Sequence, residues 1–113
     1  MKRYLFLVFL LVLLVWMVGC NLPIVPSPYS VSPTSGARGQ TLNVTIHGTN
    51  FLEATNVDFS GTDIWVNSFE VISSTEIQAN ILIYQSAQLG PKDVSVSSPA
   101  GTGEGEKLFT VTV

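Results

Sequence analysis

Apolar residues recur at every second position through most of this chain, and that period limits what it can fold into. In the segment TLNVTIH, Leu42, Val44 and Ile46 share one face, while polar residues occupy the other. This alternation is typical of strands with one buried face, and no window of useful length has a helical period. The predicted inward positions are Leu42, Val44, Ile46, Val57, Phe59, Ile77, Ala79, Ile81, Ile83, Val94, Val96, Phe109, Val111 and Val113.

The alternation changes phase once, in the middle of the chain. Ile64 and Val66 have one parity, whereas Phe69 and Val71 have the other. A bend or bulge near residues 67–68 accounts for such a change. About seven short strands separated by turn signals indicate an all-β fold, and specifically a β-sandwich.

The N-terminus carries a different signal. Lys2 and Arg3 precede an apolar run from Tyr4 to Val18. A transmembrane helix needs about 20 apolar residues, whereas the core of a signal peptide has roughly 7–15. Residues 1–19 are therefore interpreted as a helical signal peptide.

The residues that end this segment, Met17-Val18-Gly19-Cys20, resemble the lipobox of bacterial lipoproteins, where Leu is commoner at the first position. The resemblance implies cleavage between Gly19 and Cys20 and a covalent diacylglycerol or acyl lipid, such as palmitate, on Cys20. It implies a protein anchored by lipid outside the cytoplasmic membrane, in the bacterial cell envelope. Asn21, rather than Asp, after the cysteine favours the outer membrane or cell surface. An uncleaved N-terminal anchor and a plain secretory signal stay open as alternatives.

Residues 20–28 form a tether rich in proline and serine, and residues 29–113 form the predicted domain. Proline fixes φ and lacks a donor N–H, so the tether is expected to be extended and semi-rigid. The segment around Tyr29 is predicted as a first edge strand, because prolines flank it.

Charge argues against a nucleic-acid partner. The chain has five basic and eight acidic side chains, and two of the basic ones, Lys2 and Arg3, lie in the signal segment. Nucleic-acid binding depends on Lys and Arg contacts to phosphate, so none is predicted. The single cysteine excludes an intrachain disulfide.

Several motifs resemble, in order, those of IPT/TIG domains, which are immunoglobulin-like modules of the E-set type. The motifs are SPTSG (32–36), VTI (44–46), GTNF (48–51), NVDFSG (56–61), LGPKDVSVSSPAG (89–101) and LFTV (108–111). The resemblance covers residues 29–113 and implies an immunoglobulin-like β-sandwich with Phe51 folded back into the core. For function it implies spacers or interaction surfaces.

The chain holds little that suggests chemistry. His47 is the only histidine and no G-x-S-x-G motif accompanies it, so no catalytic residue and no enzyme activity are predicted. GTGEGE (101–106) is interpreted as a flexible hairpin loop. Asp58 and Asp63 flank a glycine turn, but two carboxylates lack the spaced series of a calcium loop, so no metal is predicted. No cofactor is expected beyond the lipid on Cys20.

Trp65, Leu82 and Tyr84 form the candidate binding patch, since alternation directs all three outward. The alternatives are that a loop or the tether covers them, or that Trp65 turns inward at the bend. Exposed aromatic side chains mark binding surfaces. We therefore expect a non-catalytic, membrane-anchored lipoprotein whose domain contacts a protein or a glycan. A structural spacer or assembly module of the envelope is the alternative.

Overall fold

Two four-stranded sheets pack face to face in the computed structural model, which describes residues 24–113. The strands are β1 (Ser27–Ser32), β2 (Ser35–Ala37), β3 (Thr41–Thr49), β4 (Asn56–Phe59), β5 (Ile64–Ser73), β6 (Glu76–Ile83), β7 (Gly90–Ser98) and β8 (Gly101–Thr112). The strand order is β1-β3-β6-β5 in the first sheet and β2-β8-β7-β4 in the second. All neighbours are antiparallel except β2 and β8. The predicted all-β sandwich is confirmed.

The additional strand is β2, which is three residues long and pairs in parallel with the end of β8. Its sequence, SGA, is too short to show any alternation, so the hydrophobic pattern does not predict it. The chain leaves the first sheet after β1 and joins the second at β2. This switch links the two sheets at the start of the domain.

The predicted core is confirmed with one exception. Thirteen of the fourteen predicted inward positions are either buried or packed against the buried cluster, with Leu42 at its margin. The predicted inward position of Val113 is wrong. This residue is 85% exposed, because β8 ends at Thr112 and no sheet partner holds the last residue. Phe51 is fully buried, as predicted, and its N–H donates to the carbonyl of Ser74.

The predicted change of phase in β5 is a β-bulge. The register with β6 shifts between Val66 and Ser68, so that Asn67 is an extra residue. Ile64 and Val66 face the core before the bulge, and Phe69 and Val71 face it afterwards. β5 lies at the edge of its sheet, opposite β1 at the other edge.

The start of β1 and the residues just before it pack against β8. Pro26 and Pro28 are buried, and their backbone lies over the inward side of β8 at Gly103 and Gly105. A Cβ on Gly103 would overlap the Pro26 carbonyl oxygen, and one on Gly105 would lie 2.6 Å from that of Pro28. The interpretation of GTGEGE as a flexible loop is therefore wrong. Its glycines lie in a strand, where they leave room for a neighbouring backbone.

The first strand thus begins at Ser27 and lies at a sheet edge, as predicted for the segment around Tyr29. Within residues 24–113 the structure contains no helix with the length and hydropathy needed to cross a membrane. The signal peptide, its cleavage site at Gly19 and Cys20, the lipid on Cys20 and the first tether residues lie outside the described residues.

Candidate functional site

The outer face of the first sheet holds the predicted patch. Trp65 on β5 and Leu82 on β6 are directly opposite each other in the register, and Thr41 of β3 completes the row. Trp65 is 58% exposed, so it does not turn inward at the bulge. Leu82 is half-buried beside it. The two residues form one continuous exposed apolar surface, because directly opposed side chains lie about 5 Å apart at Cβ.

Tyr84 follows Leu82 by two positions, just after the end of β6. Its side chain is 37% exposed, and its N–H donates to the carbonyl of Asp63 at 3.0 Å. This hydrogen bond extends the β5–β6 pairing by one residue, so Tyr84 stays close to the row formed by Trp65 and Leu82. The three predicted residues therefore lie at the same end of the sheet.

A row of three amides lies next to the Trp65–Leu82 row and was missed by sequence reasoning. Asn67 Nδ2 donates to Asn80 Oδ1 at 2.8 Å, and Asn80 Nδ2 donates to Asn43 Oδ1 at 2.7 Å. The three residues come from β5, β6 and β3, so only the strand register brings them together. The signal available in the sequence is an asparagine at an outward position of each predicted strand, or at the predicted bulge.

Two depressions border these rows. A shallow one of about 340 Å³ lies on the outer face and is lined by Asn43 and Asn80 of the amide row as well as by Ser68, Glu70 and Gln78. A groove of about 520 Å³ runs between the edges of β4 and β5, and Trp65 and Asn67 form part of its wall. Trp65 thus stands at the corner between the flat outer face and the open side of the sandwich.

The outer face of the second sheet has a different character, because it is acidic. Asp58, Asp93 and Glu104 surround a depression of about 250 Å³. A side-chain hydrogen bond with Asp93 raises the pKa of the Glu104 carboxyl above its usual range. Among residues 24–113 there is no group of three or more His, Cys, Asp or Glu side chains able to hold a metal ion.

The second carboxylate of the DFSGTD turn is engaged inside the protein. Asp63 Oδ2 accepts from Lys92 Nζ at 2.7 Å and from the N–H of Gln88 at 3.1 Å. These bonds, the one from Lys92 first, lower the pKa of Asp63. Asp63 therefore acts as the partner of a buried lysine.

His47 lies on the outer face at the tether end of β3, opposite Glu76 on β6. It is half-buried and far along the strand from Trp65, whose row meets β3 at Thr41. Ser30 on β1 is its other neighbour in the register, but the side-chain hydrogen bonds of the described residues include none to His47.

The two packed sheets and their strand order define an immunoglobulin-like β-sandwich. The sequence matches the family model of the IPT/TIG domain over residues 26–112. The chain therefore belongs to the IPT/TIG domain family, as the motif resemblance predicted. This family consists of non-catalytic immunoglobulin-like domains, which commonly mediate protein interactions.

No curated protein matches the chain. Among solved structures, the chain is similar to the twitchin kinase region from C. elegans (Fn31-NL-kin-CRD-Ig26), with 16% sequence identity and a TM-score of 0.41. The match covers 77% of this chain and 15% of the twitchin chain. At this level the likeness adds nothing to the family assignment.

Proposed function

We propose that this protein is a non-catalytic lipoprotein of the bacterial cell envelope, held to a membrane by an acyl lipid on Cys20. Its immunoglobulin-like domain makes contact with a protein or a glycan through the face that bears Trp65, Leu82 and Tyr84. The anchor rests on the lipobox-like residues 17–20, and the contact function rests on the place in the domain where the exposed Trp65 lies.

The single observation that carries the proposal is the position of this face relative to the tether. Ser27 pairs with Thr49 at one end of β3, whereas the Trp65–Leu82 row meets Thr41 at the other end. Eight residue steps at about 3.4 Å separate these ends by about 27 Å. A domain anchored through its N-terminus therefore presents Trp65 at the end farthest from the anchor.

The tether between the proposed anchor at Cys20 and the domain is short. Seven residue steps separate Cys20 from Ser27 and span at most about 25 Å. The last of them are fixed to the domain, since Pro26 is buried and the side chain of Asn50 donates to the Val25 carbonyl. Ile24 and Leu52 are exposed at this same end, 63% and 69% respectively. Exposed apolar side chains are tolerated where a lipid surface is close.

Metabolic labelling with a palmitate analogue tests the anchor. The full-length protein expressed in a bacterial host is expected to take up the label and to fractionate with membranes. The Cys20→Ser variant is expected to lose the label, whereas Ser27→Ala, a control at the start of β1, retains it. An unlabelled wild-type protein, or a label that persists in Cys20→Ser, would contradict the proposed lipidation.

A second experiment tests the contact surface. Full-length protein is crosslinked in cells, and the partners recovered with it are compared for wild type, Trp65→Ala and Tyr29→Ala. Tyr29 is a matched control, because it is an aromatic residue with 62% exposure at the opposite corner of the sheet. Loss of partners in Trp65→Ala alone supports the proposal. An identical set of partners in all three proteins supports a structural spacer instead.

A further inference from the structure

We infer that the outer face of the first sheet binds a neutral glycan, with one sugar ring stacked on Trp65 and the next ones hydrogen-bonded to the amide row. This inference rests on the proposed contact function and assigns the class of its ligand. It also extends the site to Asn43, Asn67 and Asn80, which no aromatic or charge signal marks.

The spacing of the rows suits an extended chain of sugar rings. Along β6 the outward residues are Leu82, Asn80 and Gln78, and each row is about 6.7 Å from the next. The first row offers the exposed indole of Trp65, the second the three amides, and the third the rim of the 340 Å³ depression. A ligand that runs parallel to the strands meets an aromatic ring at one end and polar groups afterwards.

The amide row has most of its hydrogen-bonding capacity left for a ligand. Each side-chain amide has two N–H donors and an oxygen with two lone pairs. The two bonds that join Asn67, Asn80 and Asn43 use two of the six donors in the row. Those same bonds fix the orientation of the amides. A preorganised row of donors and acceptors suits sugar hydroxyls, which both donate and accept, because little ordering is left to be done on binding.

The charged side chains on and near the three rows favour a neutral ligand over an anionic one. The basic side chains of residues 24–113 are Arg38, Lys92 and Lys107, and none belongs to the three rows. Lys92 is buried against Asp63, and Lys107 lies on β8 in the other sheet. Glu70 borders the depression and disfavours phosphate, sulfate or uronate groups there.

The same composition disfavours a protein ligand on these rows. The cores of protein interfaces are depleted of charge and enriched in aromatic residues, Met and Arg. Here Trp65, Tyr84 and the half-buried Leu82 form a small apolar end, and amides and a carboxylate follow. The apolar side chains are confined to one end of the face, and the remainder of the three rows is polar.

Binding to defined polysaccharides tests the inference. Full-length protein solubilised in detergent is titrated with hydroxyethyl cellulose, mixed-linkage β-glucan, xylan, galactomannan and dextran, and with polygalacturonate as the anionic comparison. At least one neutral polymer is expected to bind. Trp65→Ala should weaken that binding by about tenfold or more, as truncation of an aromatic anchor does. Asn43→Ala, which leaves the Asn67–Asn80 bond intact, should weaken it by about three- to tenfold.

Tyr29→Ala and Ser95→Ala, on the opposite corner and the opposite sheet, serve as controls and should bind as wild type does. Thermal unfolding of each variant shows that it is folded, and Trp65→Phe should recover part of the affinity because it keeps a stacking ring. Binding of polygalacturonate alone, or binding that Trp65→Ala leaves unchanged, overturns the inference. Binding of no neutral polymer also overturns it. The crosslinking experiment then decides the proposed contact function separately. If Trp65→Ala still loses its cellular partners, the contact function is supported even though no neutral glycan binds. If Trp65→Ala keeps all its partners, the contact function is contradicted as well.

Discussion

Lys92 on β7 reaches across one end of the sandwich to Asp63, with 2.7 Å between Nζ and Oδ2. Lys92 is buried at an inward position of its strand, so its ammonium depends on this carboxylate. Leaving a buried charge without its partner costs more than removing the pair. We therefore expect Asp63→Asn to lower the unfolding midpoint more than the double variant Asp63→Asn/Lys92→Met does. Urea unfolding at pH 7 checks this, and equal midpoints would contradict it.

The same ion pair gives the stability a defined dependence on pH. The pKa of Asp63 is lowered in the folded state, first by Lys92 and then by the Gln88 N–H. A lowered carboxyl pKa stabilises the fold above the unfolded-state value of about 4, and the contribution is lost as pH falls through the folded-state value. The difference in midpoint between wild type and Asp63→Asn should therefore shrink below about pH 4. A difference that is constant from pH 7 to pH 3 would contradict this account.

Gly103→Ala tests how the segment before β1 is fixed. The added Cβ overlaps the Pro26 carbonyl oxygen, and a backbone atom has little freedom to move away. The expected loss is at least about 2 kcal/mol of unfolding free energy, in the range of overpacking. Thr102→Ser, at the exposed neighbouring position, keeps the hydroxyl that is hydrogen-bonded to Ser97 and should stay within about 0.5 kcal/mol of wild type. Similar denaturation curves for the two variants would show that Pro26 does not lie over β8.

Phe59 and Phe109 test the packing between β4 and β8. Both rings are fully buried, with centroids 5.6 Å apart and an interplanar angle of 79°. Phe59→Ala should cost about 3–5 kcal/mol through lost burial and the cavity it leaves. Phe59→Leu should cost less, because it keeps most of the volume. Denaturant unfolding measures both, and a loss below about 1 kcal/mol for Phe59→Ala would contradict the observed core.

Deletion of Asn67 should be tolerated. Asn67 is the extra residue of the bulge, so removing it leaves Val66, Ser68 and Phe69 in regular alternation against β6. Deletion of Gln78 from the regular strand β6 is the control, because it turns half of that strand's core residues to solvent. We expect a cooperative transition for the first variant and a loss of folding for the second. Failure of both to fold would show that the bulge is needed for stability.

The strand alternation predicted the core, the bulge and the sandwich, because a period of two depends only on neighbouring residues. The alternation did not predict contacts made by backbone that is distant in the sequence. The glycines at 103 and 105 resemble a loop in the sequence, and only the position of Pro26 and Pro28 explains them. The three-residue β2 has no period of its own and forms because β8 offers it a partner.

The candidate site, too, was predictable from the sequence only in part. Outward parity predicted the exposure of Trp65 and its proximity to Leu82. The amide row required the register of three strands, and Asn67 reaches it only through the bulge. A residue pattern along one strand does not determine which residues of other strands lie beside it. The residues around Asp63 give no sign of its partner, Lys92, which is 29 residues away in the sequence.

The antiparallel pairing of β1 with β3 has a mechanical consequence. β1 begins at the end of the sheet where the tether leaves and runs towards the end that bears Trp65, which lies on the opposite edge strand, β5. The hydrogen bonds of an antiparallel ladder are perpendicular to its strands. A pull on the tether against a ligand held at Trp65 therefore loads the β1–β3 bonds together, in shear, instead of peeling them apart one by one. We therefore expect the domain to stay folded under a pull between its tether and its far end.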